Sequence, residues 1–155
     1  MILRRIVWGC AAGAAGTTAL NAVGYADMAV RRRAASSAPS AVVDRLTTRL
    51  GHPVPEMTGR ENRLSALAAL AGIATGTSVG VAVSLLHGVG VRAPLWLGAA
   101  ITGASAMACA DIPMARLGVS DPGTWSTGEW ASDVVPHLVY GLVVYGVVTA
   151  SQKQR

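Results

Sequence analysis

The chain has 155 residues, of which 52% are hydrophobic and only 14% charged, with a mean hydropathy of +0.44. A soluble domain carries about 25% charged residues, so the deficit excludes an ordinary soluble fold and predicts an all-α integral membrane protein. The net charge of +5 does not signal nucleic acid: there is no basic helix, zinc-ligand spacing or aromatic base-stacking surface, and the positive charges flank apolar runs where they would meet lipid headgroups.

The first apolar run, Ile6 to Val30, follows the basic start "MILRR". It invites comparison with a signal peptide, with Leu20-Asn21-Ala22 or Gly24-Tyr25-Ala26 as loose cleavage sites. Further apolar runs follow, which favours a retained first membrane helix. The next stretch opens with Arg31-Arg32-Arg33 and a flexible "AASSAPS". Val42, Val43, Leu46 and Leu50 then recur at helical spacing, and Gly51, Pro53 and Pro55 end the pattern. These residues predict a short amphipathic helix over 40–50, lying on a membrane surface or in solvent.

The second membrane helix is expected over Leu64 to Val89, the third over Pro94 to Met114 and the fourth over Asp133 to Ala150. Each is near the ~20 residues that cross a hydrocarbon core. Before the fourth, "SDPGTWSTGEWAS" carries Trp125 and Trp130 and a capping box, Ser126 with Glu129. A short interfacial helix over 122–131 is the expectation there. Together these elements make one membrane domain, a four-transmembrane-helix bundle with short interfacial helices in its first and third connections.

Small residues mark the packing faces. Gly72, Gly76, Gly80, Ser84 and Gly88 repeat every fourth position of the second helix, a glycine-zipper pattern. In lipid no water drives helices together, so close backbone approach must do it. Gly9, Gly13 and Thr17 on the first helix and Gly98, Thr102, Ala106 and Ala110 on the third form similar stripes. Whether the glycine face meets a neighbour in the chain or another subunit is open from the sequence.

The ends of the first and third helices echo each other, "NAVGYADMAVR" against "SAMACADIPMAR", with Asp27 aligned on Asp111 and Thr18 on Thr102. This would make a parallel two-plus-two repeat. With four spans, all eight acids fall on one side of the membrane, while Arg4, Arg5, Arg92, Lys153 and Arg155 lie on the other. Cys10 and Cys109 then sit near opposite faces, beyond disulfide reach. Orientation stays open. The count of basic residues places the long loop inside, the cost of moving "MILRR" across places the termini inside, and the balance leans to cytoplasmic termini.

Asp27, Asp111, Asp133 and His137 share the acidic end. Asp133 and His137 are four apart and so share a helical face, which Tyr140 continues. A histidine beside a carboxylate can accept or pass protons near neutrality, and ionisable groups inside spans face inward. The expectation is a proton- or cation-binding vestibule centred on Asp133 and His137, with Asp27 and Asp111 opposite and Asn21 deeper. The plainer reading is that the acids sit at headgroup depth, cap helices or pair with Arg31 and Arg116. Pro136 costs little if the fourth helix begins near Ser132, and should kink it if the helix begins at Ser126. No metal, cofactor or nucleophile motif is present, so neither an enzyme nor a cofactor is expected.

The segment "IPMARLGVSDPGTWSTGEWASDVVPHLVYG" resembles the C-terminal part of the YagU-like family of small bacterial inner-membrane proteins. Pro113, Met114, Leu117, Gly118, Pro122, Trp125, Asp133 and His137 carry the resemblance, over about a quarter of the chain. It implies a multi-pass inner-membrane protein, draws attention to Asp133 and His137, and supplies no substrate, since the family has no established biochemical function. Two functions are therefore carried forward: binding or conducting protons or ions through the Asp/His cluster, or a structural or accessory subunit packing through Gly72, Gly76, Gly80 and Ser84. The expected partners are the lipid bilayer and either a second copy or another membrane protein.

Overall fold

The computed structural model describes residues 2–153. Their helices are α1 (Ile2–Arg31), α2 (Ala38–Arg49), α3 (Arg60–Gly88), α4 (Leu95–Arg116) and α5 (Thr127–Lys153), with a 3-10 turn at Pro122–Thr124 and no strand among the described residues. α1, α3, α4 and most of α5 (Thr127–Ser151) are long and apolar enough to cross a membrane. Their outer faces leave Leu70, Ile73, Leu86, Ile101, Leu138 and Leu142 about half exposed or more, as lipid-facing side chains would be.

α1 and α5 lie antiparallel at the centre, with α3 flanking α1 and α4 flanking α5; α3 and α4 touch little. The chain-order pairs α1/α3 and α4/α5 each pack closely. The contact between α1 and α5 has no counterpart of similar extent between α3 and α4, so the halves are not packed equivalently.

Bare backbone sets both pairings. On α1, a Cβ at Gly9 would lie 2.6 Å from Val81 Cα, and one at Gly13 2.5 Å from Gly76 O. Gly76 and Gly80 are buried against α1 in turn, and Ser84 Oγ donates to Arg5 O at 2.9 Å. The Gly76–Gly80–Ser84 face thus packs within the chain, so a partner would have to meet another surface. Gly72 has nothing within 4 Å of its Cβ position and lies outside this contact. On the other pair, Gly103 approaches His137 O, Gly141 approaches Ala99 O, and Gly98 lies under the Tyr145 ring.

The core between α1 and α5 holds Ala12, Tyr140, Val144 and Val148, each at 1% exposure or less. A Cβ at Gly16 would meet Tyr140 and Val144, so this glycine makes the room in which Tyr140 crosses α1. The Tyr140 hydroxyl then donates to Gly76 O at 2.6 Å. In a dry core a phenolic hydroxyl needs such an acceptor.

α2 forms as the amphipathic pattern predicts, at 38–49, after Pro39 in its first turn. Arg60 ties it to α3 through Asp44 at 2.6 Å, and Arg45 Nη1 donates to Leu117 O at 2.6 Å, tying it to the end of α4. Val42 and Val43 are half-buried while Leu46 and Leu50 stay exposed.

The third connection differs from expectation. There is no separate interfacial helix over 122–131. The 3-10 turn ends at Thr124, and one helix runs from Thr127 through Pro136 to Lys153. The reason is the capping box: Ser126 N donates to Glu129 Oε2 at 2.8 Å and Glu129 N to Ser126 Oγ at 3.3 Å. These bonds satisfy two otherwise free N–H groups and start the helix there, so Pro136 falls ten residues from the N-cap rather than in the first turn. The Trp125 and Trp130 rings meet edge to face, with centroids 5.1 Å apart, beside this start.

Candidate functional site

α5 carries the polar residues of the acidic end on two faces. One face turns to α4. There His137 Nδ1 lies 3.3 Å from Asp133 Oδ1 and 2.8 Å from the Asp133 carbonyl oxygen. Asp111 on α4 lies near enough for its charge and those of Asp133 and His137 to act on one another. Asp133 Oδ2 is buried without a hydrogen-bond partner among the described residues. The close α4/α5 approach at Gly103, whose Cβ would lie 2.5 Å from His137 O, holds the helices near enough for the acids to meet.

The other face turns to α1. Asp27 accepts from Arg33 Nε at 2.5 Å, and Arg31 Nη1 lies 3.4 Å from its other oxygen. Ser132 Oγ donates to Asp27 Oδ2 at 3.0 Å, and Arg31 donates to Gly128 O at 3.1 Å and to Ser132 Oγ at 2.5 Å. Asp27 therefore sits in an arginine network that ties α1 to the start of α5, as the plainer reading has it, and not opposite His137 across an open vestibule. The two aligned acids, Asp27 and Asp111, converge from opposite sides on the consecutive α5 residues Ser132 and Asp133.

Between α1 and α5 a cleft of about 160 Å³ is lined by Asn21, Gly24, Tyr25, Ser132, Asp133 and His137, among others. Asn21 is exposed and lines this cleft together with His137. Tyr140 does not join the cluster. Although it continues the Asp133–His137 sequence pattern, it is 1% exposed and hydrogen-bonded to Gly76. Three residues from His137 are not four: the step from 137 to 140 leaves the side chain about 60° short of a full turn, and it reaches Gly76 on α3.

Ser132 and Arg33 were not singled out from the sequence. Their signal was only proximity, since Ser132 precedes Asp133 and Arg33 ends an arginine run. His87 lies at the opposite end of the bundle, in the last turn of α3, and no group of three His, Cys, Asp or Glu side chains poised for a metal ion occurs among the described residues. Cys10 and Cys109 are both free thiols. Compared with protein-family models, curated proteins and solved structures, the chain has no match.

Proposed function

We propose that the protein is a multi-pass membrane protein that binds protons or a small cation at Asp111, Asp133 and His137. The observation that carries this is the Asp133 carboxylate, with one oxygen at His137, the other buried and unpartnered among the described residues, and Asp111 facing it. Two neighbouring carboxylates repel when both are ionised, which favours a proton on one of them. Groups this close titrate as a unit, so proton uptake belongs to the cluster and not to any single member. The cleft past Asn21 and Ser132 offers a route from the acidic face to His137.

Beneath the cluster the core is apolar, built from Tyr140, Val144, Val148 and Ala12. That favours binding at one face over an open conduit. The YagU-like resemblance of the C-terminal third supports a bacterial inner membrane as the location and Asp133 and His137 as the residues to test.

The test is a ¹⁵N-imidazole NMR titration of His137 in the full chain, comparing wild type with Asp111→Asn and Asp133→Asn. The expected result is that removing either acid moves the His137 midpoint, because each charge acts on the ring. Identical midpoints in all three proteins, each folded by circular dichroism, would sink the proposal. Flux into liposomes loaded with a pH-sensitive dye separates binding from conduction, and His137→Gln abolishes any flux that uses the cluster.

A further inference from the structure

The basic end of the bundle holds a second polar cluster that the acidic site does not use. Arg5 lies with its guanidinium against the bare backbone of Gly88, where a Cβ would meet its Cζ and Nε. His87, beside Gly88, is only 6% exposed. Arg5 Nε and His87 Nδ1 are both buried without a hydrogen-bond partner among the described residues. Arg92 stands close enough for its charge to act on His87. Tyr145 fixes this corner: its ring meets His87 edge-on at 6.0 Å, and its hydroxyl accepts from Ala93 N at 2.8 Å and donates to Ala93 O at 3.0 Å, which anchors the loop that carries Arg92.

The end of α3 does not account for Arg5. A cation can serve a helix C-terminus by binding its free carbonyls. Here the carbonyls of Leu85, Leu86 and His87 already accept from Val89, Gly90 and Val91. Arg4 shows the contrast, since it does bind a terminal carbonyl, Ser151 O, at 3.0 Å. Nor does an Asp or Glu side chain pair with Arg5, because all eight lie toward the other end. Two arginines thus gather beside a buried imidazole, and Arg5 Nε and His87 Nδ1 find no partner among the described residues. A buried polar atom without a partner is costly, and an oxyanion beside two guanidinium groups answers it with several oxygens at once.

We propose that Arg5, His87 and Arg92 form a binding site for a phosphate-bearing anion, either a lipid headgroup or free phosphate. The site is independent of the proton cluster and rests only on the chain's crossing a bilayer. Ile2, Leu3, Val89 and Val91, all 60% exposed or more, border it with apolar surface suited to acyl chains.

The experiment titrates the full chain in neutral detergent with inorganic phosphate and, separately, with short-chain phosphatidylglycerol, followed by isothermal titration calorimetry. Wild type is compared with Arg5→Gln, Arg92→Gln and the control Arg116→Gln, which removes the same charge at the opposite face. At least one probe should bind wild type and the control alike, and Arg5→Gln and Arg92→Gln should weaken it about tenfold, as expected for loss of a charged hydrogen bond. Binding of inorganic phosphate identifies the free anion as ligand; binding of phosphatidylglycerol alone identifies the headgroup. Arg92 is exposed on a loop, so its variant carries the test even where Arg5→Gln fails to fold. No binding by either probe, or equal weakening in Arg116→Gln and Arg92→Gln, overturns the proposal.

Discussion

Replacing Gly80 by alanine adds one methyl group where α3 crosses α1. A Cβ there would lie 2.5 Å from Gly9 O and 2.7 Å from Gly13 Cα, whereas ordinary contact begins at 3.4 Å. The helices would have to part by roughly 0.9 Å (3.4 − 2.5). A gap of 0.5–1 Å forfeits about a quarter to a half of the dispersion energy of each facing atom pair, and overpacking of this kind costs about 1–3 kcal/mol. The better helix propensity of alanine returns up to ~1 kcal/mol. Gly80→Ala should therefore destabilise the protein by about 1–2 kcal/mol. Gly72→Ala is the same chemical change on the same helix with open space around it, and it should be neutral or stabilise by up to ~1 kcal/mol. Unfolding in mixed micelles of rising dodecyl sulfate content, followed by circular dichroism, measures both. Equal midpoints for the two variants would refute the claim that the Gly76–Gly80 face packs within the chain.

Three further outcomes are expected. Tyr140→Phe removes the hydroxyl that reaches Gly76 O across α1 and should cost about 1 kcal/mol in the same assay, with no change in His137 titration, since Tyr140 stands in the core and not in the cluster. Ser126→Ala breaks the capping box and should cost about 1 kcal/mol, with amide exchange accelerated over 127–130; unchanged exchange would place the start of α5 elsewhere. Arg60→Gln removes the partner of both Asp44 and Glu56, and α2 should exchange its amides faster while α1 and α5 keep their protection, as hydrogen-exchange mass spectrometry can show.

How much was legible depended on how local the cause was. The capping box of Ser126 and Glu129 was read correctly, because both partners lie within four residues. Its consequence, a single helix through Pro136, is one of two alternatives the sequence leaves open, because a proline is tolerated in a first turn and can also sit inside a helix. The Asp133–His137 pair was legible for the same local reason, one turn of helix. Its third member, Asp111, was named only as one of two acids opposite. That Asp111 and not Asp27 meets Asp133 depends on Gly103 letting α4 approach α5, and on Arg31 and Arg33 being free to take Asp27.

The sequence by itself determined that the chain forms four long helices apolar enough to cross a membrane, since apolar length is a property of each segment alone. It also determined that every acid gathers at one end, because four traverses of the bundle leave no other arrangement. Tertiary structure alone decided which faces meet. A stripe of glycines states that a close neighbour is wanted but not which one; the answer is α1, whose Gly9 and Gly13 lie directly against Gly76 and Gly80. Side chains four residues apart can be paired on paper, whereas those on separate helices acquire partners only through that packing, which is why Tyr140 belongs to the core and His137 to the acidic cluster.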